Sequence, residues 1–127
     1  MSKITGILID VINNKASVVT VEDALKSYYS ILHCDLIDIQ TRRIGGRTYT
    51  IVCDDEGLLK KPVKISALND MGDPMFVGNL FIVKTGDDYE LTGLNDDDIK
   101  HLNQHIHMQG TIRFPDPYPM VHQVEYP

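Results

Sequence analysis

The sequence predicts an α+β fold: a mixed or antiparallel sheet of about five to six strands with two helices packed on it. Three observations point there. Short β-rich runs bounded by turn residues recur along the chain, and two segments carry apolar residues at three- and four-residue spacing. The 127 residues, 43% hydrophobic and 24% charged, are enough for one core without metal or disulfide staples.

Residues 3–12, KITGILIDVI, form an apolar strand, and Asn13-Asn14-Lys15 turns the chain into a second strand over 16–19, giving a β-hairpin. Thr20 is expected to cap a helix with Glu22 and Asp23 against the positive end of its dipole. Val21, Leu25, Tyr28 and Leu32 would be its sheet-facing stripe. Segments 35–43 and 48–54 are strands joined across Gly45-Gly46, and here two registers compete. A two-residue loop pairs Ile44 with Arg47 and Ile39 with Val52, which puts Ile51 and Cys53 on the face of Asp38 and Gln40. A three-residue loop, Gly45-Gly46-Arg47, pairs Ile39 with Cys53, Thr41 with Ile51 and Arg43 with Tyr49, collecting the apolar residues on one side. That second register is the expected one. It turns Arg42 to the other face beside Thr50 and leaves Arg47 in the loop, so the three guanidinium groups diverge.

Beyond the turn at 54–57, residues 58–73 read as an irregular connection containing Pro62. The run 75–84, MFVGNLFIVK, reads as a central strand covered on both faces, with Gly78 marking a bulge or a close approach. Gly86-Asp87-Asp88 turns into a short segment over 89–92. A second helix starts clearly: Asn95 is its N-cap, Asp96, Asp97 and Asp98 fill the first turn, and Leu94 staples onto Ile99. A last strand is expected over 110–114. Pro115, Pro117 and Pro119 then extend a tail, 115–127, beyond a domain of residues 1–114. The apolar groups of that tail, Tyr118, Met120, Val121, Val124 and Tyr126, leave two readings open. It returns along its own core, or it adds to a second subunit and makes a homo-oligomer.

The formal charge of −6 argues against direct nucleic-acid binding, which needs a concentrated basic patch. No apolar run is long enough to span a membrane, and the N-terminal MSKITGILIDV lacks a signal-peptide pattern, so the cytosol is the expected compartment. Cys34 and Cys53 show no CxxC spacing and read as small buried apolar residues. No Walker, GxGxxG or GxSxG motif is present, no cofactor is implied, and the carboxylates sit at turns and helix starts, where local hydrogen bonding selects them. The expectation is a protein that is not an enzyme. Two constellations have a ligand-binding reading. Asp98, His101 and His105 fall within roughly a 60° arc of the second helix and could hold a divalent ion, an exposed polar face being the plainer alternative. Arg42, Arg43, Arg47 and Arg113 could take phosphates, against the plainer reading of solvated arginines on a hairpin.

The runs TRRIGGRTYTIVCDDEGLLK, MFVGNLFIVK and ELTGLNDDDIKHL resemble a family of small uncharacterised domains of phages and mobile elements in Gram-positive bacteria. The resemblance covers about residues 3–104 and assigns no catalytic residue. It implies an accessory protein that inhibits host defence from the host cytosol. An acidic surface of Asp54, Asp55, Glu56, Asp87, Asp88, Asp96 and Asp97 would dock on the basic nucleic-acid channel of a nuclease or CRISPR effector. The alternative is a nucleotide-binding module or sponge that uses the four arginines.

Overall fold

The fold is described from a computed structural model over residues 2–127. Its strands are β1 (Lys3–Asp10), β2 (Lys15–Glu22), β3 (Ile37–Ile44), β4 (Arg47–Asp54), β5 (Ile65–Leu68), β6 (Pro74–Val77), β7 (Leu80–Thr85), β8 (Leu91–Thr92), β9 (Ile106–Gln109), β10 (Tyr118–Val121) and β11 (Val124–Glu125). The helices are α1 (Leu25–Leu32) and α2 (Asp96–Asn103), and a single 3-10 turn lies at Gly57–Leu59. The fold class is α+β. The strands divide between a seven-stranded sheet, ordered β11-β3-β4-β7-β1-β2 with β8 added to β7, and a four-stranded sheet, ordered β6-β5-β10-β9. Every pairing is antiparallel except that of β10 with β5.

The pleat of the large sheet sorts its side chains into two cores. Leu80 and Ile82 of β7 join Ile7, Ile9, Tyr49 and Ile51 on one face, under the small sheet and α2. Phe81 and Val83 join Ile4, Leu8 and Val52 on the other, under Tyr28 and Leu32 of α1. β7 is therefore buried on both faces, as a continuous apolar run requires.

The expected strand over 75–84 breaks in two. Gly78, at φ +76°, bends the chain so that β6 joins the small sheet and β7 the large one. Thr20 does not cap a helix. β1 and β2 pair without a slip from Asp10↔Lys15 to Lys3↔Glu22, and the Thr5 and Thr20 hydroxyls bond across the strands at 2.7 Å. Eight residues of antiparallel pairing outweigh the local helix signal, so Val21 is a strand residue, Leu25 is exposed, and α1 starts after Ala24 without a side-chain cap. Asp23 accepts instead from the Tyr28 hydroxyl at 2.5 Å.

The β3–β4 hairpin takes the two-residue loop, not the three-residue one. Ile44 pairs with Arg47, Arg42 with Tyr49, and Asp38 with Cys53. Gly45 and Gly46 stand at φ +55° and +84°, both left-handed, which suits the tight turn that matches strand twist. Substituting them ranks two effects. Gly46→Ala meets nothing within 4 Å and carries only the left-handed penalty, about 1–2 kcal/mol. Gly45→Ala carries the same penalty and also places its Cβ on the His105 ring, so thermal melts should show the larger loss at Gly45.

The tail belongs to the core, which corrects the boundary expected at residue 114. Tyr118, Met120, Val121 and Val124 are 0–2% exposed. β10 lies between β9 and β5, and β11 pairs with β3 after the chain crosses between sheets at Gln123, φ +59°. The expected strand over 110–114 is loop; the strand lies earlier, at β9. The connection over 58–73 contains β5. Among the described residues no helix is long and apolar enough to cross a membrane.

Candidate functional site

α2 forms as its sequence dictates. The Asp98 amide donates to Asn95 Oδ1 at 2.8 Å and the Asn95 amide donates to Asp98 Oδ2 at 3.1 Å, a complete capping box. Asp98 also receives Lys84 Nζ at 3.2 Å and the Tyr49 hydroxyl at 3.4 Å, and is 5% exposed. Burial alone would raise its pKa, but the Asn95 amide, the Lys84 ammonium and the Tyr49 hydroxyl together hold the carboxyl below the usual range.

The metal reading of Asp98, His101 and His105 is thereby corrected. Asp98 faces Tyr49 and Lys84, His101 Nε2 bonds to the Ile44 carbonyl at 2.9 Å, and α2 ends at Asn103, before His105. Among the described residues no group of three or more His, Cys, Asp or Glu side chains is placed to hold a metal ion. Histidines do gather here, with ring centres 4.9 Å apart for His101 and His105 and 4.8 Å for His107 and His122. Burial, then the neighbouring rings, lower the pKa of His105 and His122. His122 Nε2 is matched with Gln109 Oε1, and the His105 ring lies over Gly45.

The four arginines lie in four settings. Arg43 pairs with Glu125 at 3.6 Å, Arg47 with Asp97 at 2.8 Å, and Arg113 leans on Phe114. Arg42 differs from the expectation that it turns away from Tyr49. It points to the inner face, its guanidinium carbon 5.4 Å from the Phe76 ring centre and 4.5 Å from that of Tyr126. Its Nη1 donates to the Thr41 carbonyl at 2.8 Å, while its Nε is buried without a partner.

The seven carboxylates divide into two groups. Asp87 and Asp88, in the β7–β8 turn, and Asp96 and Asp97, at the start of α2, lie at the end of the large sheet that carries the β3–β4 turn. Asp54, the last residue of β4, and Asp55 and Glu56 after it lie at the opposite end, the length of a strand away, roughly 20 Å at ~3.3 Å per residue. Asp54 is neutralised by Lys60 at 2.7 Å and its Oδ1 accepts from the Glu56 amide.

That second end carries a groove of about 580 Å³ between β3 and β6. Asp38, Gln40 and Arg42, alternate residues of β3, form one wall beside Cys53. Phe76, Met75 and Val77 form the other, and Asp55, Glu56, Leu58 and Leu59 close the end. Leu58 and Leu59 are 76% and 78% exposed. Gln40 Nε2 donates to Asp38 Oδ2, and Asp38 Oδ1 accepts from the Ile39 amide at 2.9 Å, so the amide and carboxylate are held in place with lone pairs to spare. Burial, then Asp38 and Asp54, push the Cys53 thiol up to about 12. Sequence reasoning chose Arg42, Asp54, Asp55 and Glu56 and missed Asp38 and Gln40. The signal was the alternation Asp38, Gln40, Arg42 set against Ile51 and Cys53 in the two-residue register.

No curated protein and no solved structure matches the chain. A family model does, over residues 4–107, a span that holds both walls of the groove and stops inside β9. The chain belongs to that family, described as a domain of unknown function (DUF3846).

Proposed function

We propose that the chain is a non-catalytic binding protein that receives a basic segment of a protein partner in the groove between β3 and β6. The observation that carries this reading is the groove's charge. Four carboxylates line the groove, Asp38, Asp54, Asp55 and Glu56; Asp54 is paired with Lys60, which leaves three against the single guanidinium of Arg42. Such a site attracts lysine or arginine and repels phosphate, which weighs against a phosphate held in this groove by Arg42. Arg43 and Arg47 are already neutralised by Glu125 and Asp97. The exposed Leu58 and Leu59 supply the apolar contact that charged rims accompany in protein interfaces. A thiol pushed up to about 12 is a poor nucleophile, in keeping with binding rather than chemistry. On this reading the protein serves a phage or mobile element and its partner is a host defence effector, whose basic nucleic-acid channel provides the segment.

Fluorescence polarisation with labelled arginine- and lysine-rich peptides tests it. Binding is expected to weaken as salt rises. The double variant Asp38→Asn, Glu56→Gln should bind roughly tenfold more weakly, the equivalent of about 1.4 kcal/mol. The remote double variant Asp87→Asn, Asp88→Asn should match the wild type. Equal losses in both variants, or a nucleotide-induced thermal shift abolished by Arg42→Ala, would overturn the proposal.

A further inference from the structure

Among the described residues most sheet edges are guarded: β3, which β11 covers only at Arg43 and Ile44, turns the charged Asp38 and Arg42 inward along the rest of its edge. β11 and β8 are two residues long, β6 starts with Pro74 and pairs through register shifts, and β9 is four residues long and carries His107. These are the devices that keep sheet edges from pairing with other chains. β2 has none of them. It is the outermost strand of the large sheet, eight residues, KASVVTVE, with no proline, no glycine and no slip against β1, and its lysine stands at the first position. Val18, at its middle, is 50% exposed.

We infer that β2 pairs with β2 of a second copy of this chain, joining the two large sheets into one. A two-fold axis perpendicular to the sheet relates the copies, so directly opposed residues must point to the same face. Val18 on the axis meets this condition. It faces Val18 of the second copy, Ala16 faces Thr20, and the exposed valines cover each other. In this register Lys15 lies opposite Val21 of the other copy, with Asp23 diagonal to it on the face that carries α1, so a cation stands near an anion at both ends of the contact. Parallel pairing would instead set lysine beside lysine. The tail is excluded from this contact, since β10 and β11 are already paired within the chain.

Sedimentation equilibrium of the full chain reads the result directly. The wild type should sediment at twice the 14.3 kDa of one chain, and Val18→Lys, which opposes two ammonium groups on the axis, should return to the mass of one chain with an unchanged circular dichroism spectrum. Val18→Cys gives a positive test that does not depend on that variant's folding. Opposed cysteines lie within reach of a disulfide and should crosslink under mild oxidation, whereas Cys34 and Cys53 are buried. A monomeric wild type, or a dimer that survives Val18→Lys and fails to crosslink through Val18→Cys, would overturn the inference and assign the edge to another partner or to none.

Discussion

A chain ended at Phe114 is expected not to fold. The deletion removes Tyr118, Met120, Val121 and Val124, all 0–2% exposed. Burial of one such side chain contributes about 1.5–3 kcal/mol, so the four contribute roughly 6–12 kcal/mol. A domain's whole stability is about 5–15 kcal/mol. The topology adds to the loss, because β10 is the strand that ties β9 to β5. Without it β9 loses its pairing partner and the β5–β6 pair loses its neighbour. The near-ultraviolet circular dichroism signal and a cooperative thermal transition should both vanish. A truncated chain that melts sharply would show that the tail is an accessory, as its proline spacing suggests. Removing only Tyr126 and Pro127 should be mild. Tyr126 is 68% exposed and offers its ring face to Arg42, a contact worth about 0.5–1 kcal/mol.

The family model ends at His107, two residues short of the end of β9. In this chain the matched region depends on a segment outside it. Local sequence could not reveal that dependence, since proline spacing reports backbone extension but not which strand an extended segment will join. Pairings such as Val121↔Ala67 and Val124↔Ile44 span more than 50 residues and leave no periodic trace. Where local chemistry decides the structure, the sequence was legible. Asn95 and the aspartates after it set the start of α2, and Asn13-Asn14 turned the first hairpin. Register was the informative failure. Collecting apolar residues on one face is a sound rule for a strand that faces a core. β3 obeys it at Ile44, which is fully buried, and departs from it at Asp38, Gln40 and Arg42, which face a groove. The departure from the packing rule and the candidate site are the same three residues, which is where such departures are expected to gather.

Asp98→Ala should be the most damaging single substitution among the charged residues. Three losses combine. The half of the capping box that runs from the Asn95 amide to the Asp98 carboxylate goes, at about 1 kcal/mol, while Asn95 still caps the amide at position 98. The Tyr49 hydroxyl, within a residue that is 1% exposed, loses its acceptor, at about 1–3 kcal/mol. The Lys84 ammonium, 40% exposed, loses its partner and regains part of its hydration, so its share is smaller. A total of roughly 3 kcal/mol, read by urea unfolding at neutral pH, is the expected outcome. The acid limb supplies an independent check. The folded protein holds Asp98 below its ordinary value of 3.8. The unfolded state therefore binds the proton more readily, and the stability Asp98 contributes is present above that ordinary value and lost as pH falls through the folded one. Asp10 is shifted in the same direction, because the Asn13 and Asn79 side chains and the Ile12 and Asn13 amides outweigh its burial. Wild-type stability should thus fall below about pH 4 through at least two carboxyls, and Asp98→Ala should fall less steeply while starting lower. Parallel acid limbs for the two proteins would mean that Asp98 is not held ionised by Lys84, Tyr49 and the Asn95 amide. The damage at neutral pH would then have to come from the cap alone.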